Sequence, residues 1–221
     1  MKRFLSVSLI LGLTISAVGA DARKPPRNRT FANPSAIVAS ELAFAQLAKD
    51  KGQWTAFIAT STDQATMFDP DPINAHQYLK GKPNPPVALT WQPYLVWSSC
   101  DGSYGVTTGA WQSPKAVGYF TTVWQRQKDG AYKWVMDGGD VLAKPFAVPE
   151  FVQAKVANCE HRAAVPAREP DAATIGGESI DRTLRWSARV DAQGGRVFRA
   201  ATWNGTSFDD VLDQTVAAPA G

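Results

Sequence analysis

Residues 89–140, LTWQPYLVWSSCDGSYGVTTGAWQSPKAVGYFTTVWQRQKDGAYKWVMDGGD, set the architecture. Four runs follow one another closely: Leu89–Ser98, Tyr104–Trp111, Tyr119–Arg126 and Tyr132–Asp137. They are rich in Val, Thr, Tyr, Phe and Trp, the residues that suit a pleated, half-buried surface. Turn chemistry separates them at Cys100-Asp101-Gly102, Ser113-Pro114-Lys115 and Lys128-Asp129-Gly130. The Asp-Gly pair is a hairpin signal, because a tight turn needs a positive φ that Gly adopts without strain. The pattern predicts a curved antiparallel meander with the preceding chain covering one of its faces.

Upstream, Ser35–Lys51 reads as an amphipathic helix closed by Gly52, with Ile37, Phe44, Leu47 and Ala48 on one face. Glu41 falls on that same face, either as a pocket group or as a side chain at the stripe's edge reaching water. Gln53–Thr60 is expected as a second helix anchored by Trp54, Phe57 and Ile58. A short strand follows from Asp63 and ends at Asp69-Pro70. Asp71 then caps a third helix from Ile73 to Lys80, with Pro72 in its first turn. Helices on one side of a curved sheet make an α+β cone, with its cavity between the first helix and the concave face.

The chain opens on Lys2 and Arg3, an apolar stretch from Phe4 to Ile15 and the small residues Ser16–Ala20. That is the pattern of a cleavable export signal over residues 1–22, too short for a stable membrane span. Residues 23–34 form a basic, proline-containing linker, residues 35–142 the cone, and residues 143–221 a C-terminal extension. The net charge is +3, partly carried by the signal and linker, and no dense basic stripe follows, which sets nucleic acid aside. The two cysteines, Cys100 and Cys159, either form a disulfide, as an oxidising compartment favours, or remain two buried thiols. A disulfide between them closes a loop worth about 4 kcal/mol in the chain-entropy picture.

Glu41-Leu42-Ala43-Phe44-Ala45 with Gly52, Trp91-x-Pro93, Gly105-x-x-Thr108-Gly109, Tyr119-x-x-x-Trp124 and Gly130-x-Tyr132-Lys133-Trp134 together resemble the SnoaL-like, ketosteroid-isomerase-like family. Its wider superfamily is that of nuclear transport factor 2, and more narrowly the pattern is similar to exported bacterial members of unassigned function. The resemblance spans about residues 35–140 and implies the cone fold. In ketosteroid isomerases a motif resembling Gln64-Ala65-Thr66-Met67-Phe68-Asp69-Pro70 carries the general base, which the resemblance places at Asp69. The same comparison puts the family's oxyanion-binding Tyr near Ala45 and its protonated Asp near Val123 or Trp124, so both of those residues are missing and steroid isomerisation is not expected.

His76 is expected near the cavity mouth, either paired with Asp69 or as an exposed polar residue of the third helix. Histidines stand only at positions 76 and 161, without metal-ligand spacing, and no nucleotide fingerprint is present, so neither metal nor cofactor is expected. Trp54, Phe57, Phe68, Trp91, Trp111, Tyr119, Trp124 and Trp134 are candidates to line the cavity, some of them serving as core instead. Alternation puts Trp91 and Trp97 on one face. Asp101, Asp137 and Asp140 read as turn residues. In the extension, Pro149–Val156 is expected as a short helix and Leu184–Val190 with Arg196–Trp203 as a hairpin, while the tail from Val216 is expected to fray.

Three functions fit this sequence. The first is an exported domain holding a small apolar or aromatic molecule. The second is an acid–base enzyme with Asp69 as base, assisted by Glu41 or His76. The third is an interaction module in which the sheet's outer face and the Arg-bearing hairpin form the interface between two copies.

Overall fold

The computed structural model describes residues 31–69, 71–161, 165 and 174–218. The expected export signal, most of the basic linker and the last three residues of the tail lie outside them.

Helix α1 (Pro34–Lys51) begins one residue before the expected start, because Asn33 is its cap: Asn33 Oδ1 accepts from the Ala36 N–H at 3.1 Å, with Pro34 in the first turn. Gly52, at φ 98°, turns the chain into α2 (Gln53–Thr60). Strand β1 (Ser61–Asp69) follows, then β2 (Asp71–Asn74) and α3 (Ala75–Leu79). The third helix is therefore shorter than expected. Asn74, not Asp71, caps it by accepting from the Gln77 N–H at 2.9 Å. Residues 71–74 pair with β1 instead, and Pro72 is tolerated there because β2 is an edge strand.

The meander stands as read: β3 (Thr90–Ser98), β4 (Tyr104–Gln112), β5 (Val117–Arg126) and β6 (Tyr132–Leu142), successive neighbours antiparallel. β1 joins β6 in parallel, and β7 (Gln153–Val156) joins β3 in parallel. The sheet order is β2-β1-β6-β5-β4-β3-β7. The helix expected over Pro149–Val156 is thus replaced by an edge strand, since the open side of β3 offers hydrogen bonds that Val152 and Val156 favour over an isolated helical turn. The expected hairpin is present as β9 (Leu184–Val190) and β10 (Arg196–Trp203), extended by β8 (Ile175–Glu178) and β11 (Phe208–Val216) into a second sheet ordered β11-β10-β9-β8. The segment leading to Val216 is therefore strand, paired along its length to β10.

Two bulges decide which side chains face where. In β3 the register shifts between Pro93 and Leu95, so Trp91 and Trp97 point to opposite faces, against the expected alternation. Trp91 packs with the helices and Trp97 with the second sheet. In β6 the extra residue, Val135, leaves Trp134 on the helix side, sends Met136 to the far side and returns Asp137 to the helix side.

The result is three layers: helices, cone sheet and C-terminal sheet. Ile37, Phe44, Ala48, Leu79, Trp124 and Trp134 fill the core between the first two. Val106, Val123, Met136, Leu184, Trp186 and Phe198 fill the core between the two sheets. The outer face of the cone sheet, through which two copies were expected to pair, is covered by the chain's own strands.

Two turns with the same pattern fasten the sheets together. Ser99-Cys100-Asp101-Gly102-Ser103 joins β3 to β4, and Ser179-Ile180-Asp181-Arg182-Thr183 joins β8 to β9. Within each turn the Asp accepts from the Ser hydroxyl two residues before and from the N–H two residues after. Across the turns the bonds are reciprocal: Asp101 N–H to Asp181 Oδ2 at 2.8 Å and Asp181 N–H to Asp101 Oδ2 at 3.0 Å. Cys100 N–H donates to Thr183 Oγ1, and Ile180 N–H donates to Ser103 Oγ. The Cys100–Cys159 disulfide forms in the same place, with Cα atoms 5.3 Å apart.

Candidate functional site

Between α1, α2 and the concave face lies a cavity of about 320 Å3. Phe44, Trp54, Phe57, Phe68, Trp91, Trp111 and Phe120 supply its aromatic walls. Phe44 is the hub of the ring packing, with centroids 4.9 Å from Phe57 and 4.8 Å from Trp91, both edge to face. The volume and apolar lining are those of a small-molecule site.

The polar groups in the lining are few. Gln53 Oε1 accepts from the Leu89 N–H at 3.0 Å, and Asp140 Oδ1 accepts from the Val141 N–H at 2.8 Å, so both are engaged. Asp137 is different. It is half-buried in the cavity lining, and its Oδ2 accepts from Thr122 Oγ1 at 2.8 Å. Burial pushes its carboxyl up to about 8, with the nearby Glu41 adding to the rise and the Thr122 hydroxyl opposing it. Asp137 is therefore neutral over most of the physiological range and able to donate a proton or a hydrogen bond.

Glu41 lies behind the cavity wall and neither lines it nor reaches water; it is wholly buried. Trp91 Nε1 donates to its Oε1 at 2.7 Å, while Thr107 Oγ1 and Trp124 Nε1 donate to its Oε2 at 2.6 and 2.9 Å. Burial pushes the Glu41 carboxyl above the ordinary glutamate range, against the pull of these donors. Chemically this is a packing knot that fixes the Trp91 and Trp124 rings.

The other expected site residues divide. Trp54, Phe57, Phe68, Trp91 and Trp111 line the cavity. Trp124 and Trp134 are core side chains, exposed by 1% and 0%. Tyr119 borders a small cleft between the two sheets instead. Asp69 is exposed at the end of β1, opposite Asp71, and is not part of the cavity lining. His76 is half-buried, with its Nε2 2.8 Å from Ser61 Oγ, and like Asp69 is not part of the cavity lining. Among the described residues no group of three or more potential ligands is placed to hold a metal.

No family model matches the chain, and no curated protein matches it. Solved structures do. A candidate ketosteroid isomerase from Parabacteroides distasonis is 19% identical, covering 52% of this chain and 97% of its own, with a TM-score of 0.39. An NTF-2-like protein of unknown function from Burkholderia xenovorans is 16% identical over 52% of this chain and 89% of its own, with a TM-score of 0.35. A candidate ketosteroid isomerase from Shewanella frigidimarina is 13% identical over 50% of this chain and 99% of its own, also at 0.35.

Proposed function

We propose that this is an exported protein that binds a small, flat, apolar or aromatic molecule in the cone cavity, with a hydrogen-bond-accepting group of that molecule set against Asp137. The observation that carries this reading is an aromatic-walled cavity with the Asp137 carboxyl in its lining. Thr122 engages Asp137 Oδ2, which leaves Oδ1 for a bound carbonyl or hydroxyl. Export is supported by the signal pattern of residues 1–22 and fits the Cys100–Cys159 disulfide. Native mass spectrometry of protein purified from its own host's periplasm tests both parts. A mature chain lacking the first residues, carrying an extra mass that leaves on unfolding, is the expected result. A full-length chain in the cytoplasmic fraction removes export. A clean apo mass, with no binding of aromatic ketones at millimolar concentration, removes the ligand reading.

Acid–base catalysis is the second reading, and the observation favouring it is again Asp137. A carboxyl pushed up to about 8 in the cavity lining is suited to give or take a proton, and Asp69 is exposed and outside that lining. Asp137→Asn abolishes turnover of any substrate found on this reading, whereas Asp69→Asn leaves it within about twofold.

A further inference from the structure

A second cavity, of about 330 Å3, borders the first, and the two share Trp91 and Trp111. These tryptophans are register partners on β3 and β4. Both indole N–H groups are committed inside the protein, Trp91 to Glu41 Oε1 at 2.7 Å and Trp111 to the Tyr119 carbonyl at 3.0 Å. Trp111 also packs closely against Gly118, where a Cβ would come within 2.2 Å of its Cε2. The pair is thus a fixed aromatic edge common to both cavities.

The two chambers differ in chemistry. The first carries the carboxyl groups of Asp137 and Asp140 among aromatic rings. The second has no carboxylate in its lining and is bordered by Lys49, Gln92 and Gln112. Lys49 is exposed near the end of α1, and no ion pair to it is found among the described residues. An anionic group on a bound molecule is attracted toward Lys49 in the second chamber, where no carboxylate of the lining opposes it.

We infer that the site is bipartite and that its ligand is amphipathic: a flat apolar body in the first cavity, with an anionic oxygen group carried past the Trp91–Trp111 pair to Lys49. This rests on the reading of the first cavity as a ligand site. A pair of probes with the same body separates the two claims, 4-(1-naphthyl)butanoate and its uncharged primary amide. Both are titrated calorimetrically into the full-length mature protein at low salt and neutral pH. The expected result is that both bind, with the butanoate about two- to fivefold tighter, the range for one partly solvated ion pair. That preference disappears in Lys49→Gln and in roughly 0.5 M salt, where screening is strong. It survives in Lys51→Gln, which removes a charge from the same helical turn outside the lining. Amide affinity is unchanged in both variants. If the amide binds but the butanoate is no tighter, or its preference survives Lys49→Gln, the bipartite site is overturned and the cavity reading stands. If neither probe binds, both fall.

Discussion

Asp137 and Glu41 are two carboxyls on the helix side of one sheet, and their surroundings give them different work. Asp137 is raised to about 8 from an ordinary 3.8, so between those values the folded chain holds a proton that the unfolded chain has released. Stability attributable to this group therefore falls as pH rises from about 4 to about 8, by up to roughly 1.4 kcal/mol per pH unit, and levels off above. Glu41 is shifted in the same direction and adds to the slope from its own ordinary value upward. Asp137→Asn removes one contribution: urea midpoints measured from pH 5 to pH 8 decline less steeply in the variant than in the parent. An unchanged slope would show that Asp137 is ionised and hydrated in the folded state. Glu41→Gln has a separate signature. The amide cannot accept from all three donors, which strands a buried indole or hydroxyl hydrogen, at a cost of about 1–3 kcal/mol in chemical denaturation. Asp137 was hidden in the sequence for a physical reason: simple alternation from Trp134 sends it to the opposite face, and only the bulge at Val135 brings it back. Glu41 was legible as an acid on an apolar helical face, but its indole donors come from β3 and β5, which no local pattern connects to it.

At the scale of elements, the meander and the first two helices were written in local chemistry, in β-rich runs, Gly-containing turns and a 3.6-residue stripe closed by Gly52. Strand β7 and the strands flanking the C-terminal hairpin were not, because short or polar strands take their structure from the edge they join. The repeated Ser-x-Asp-x-Ser/Thr pattern at residues 99–103 and 179–183 was present in the sequence. Its meaning depends on two turns 80 residues apart meeting face to face. Their reciprocal bonding makes a quantitative prediction. Asp101→Ala and Asp181→Ala each strip acceptors from buried backbone and hydroxyl donors and each lower stability by about 2–3 kcal/mol. Because each acid satisfies the other's N–H, the double variant costs clearly less than the sum, with a coupling of about 0.5–3 kcal/mol in a double-mutant cycle. Additive losses would mean that the turns fold independently of one another.

At the scale of the molecule, the cone sheet is a wall shared by two cores. Adjacent residues of β6 serve opposite sides, Met136 facing the C-terminal sheet and Asp137 facing the cavity. The clasp and the disulfide fasten the layers at one end, and Thr121 Oγ1 to Gln214 Oε1 and Arg196 Nη2 to the Gly139 carbonyl join them elsewhere. A sheet covered on both faces by its own chain has little left to offer a second copy through its centre. Sedimentation at high concentration should therefore find a monomer, and a dimer would have to be traced to an edge such as β7. The shared wall also dictates how the molecule unfolds. Leu184 is fully buried between the sheets and Phe44 is buried under the helices. Leu184→Ala should cost about 2–5 kcal/mol and Phe44→Ala about 3–5. Since neither core persists without the wall between them, both variants should move one and the same transition, seen alike by far-ultraviolet circular dichroism and by tryptophan fluorescence. In the alternative, the C-terminal sheet peels away first: Leu184→Ala then shifts only an early phase, Phe44→Ala only a late one, and the two probes separate. That outcome would make the second sheet an accessory layer, and binding in the cavity would then survive its loss.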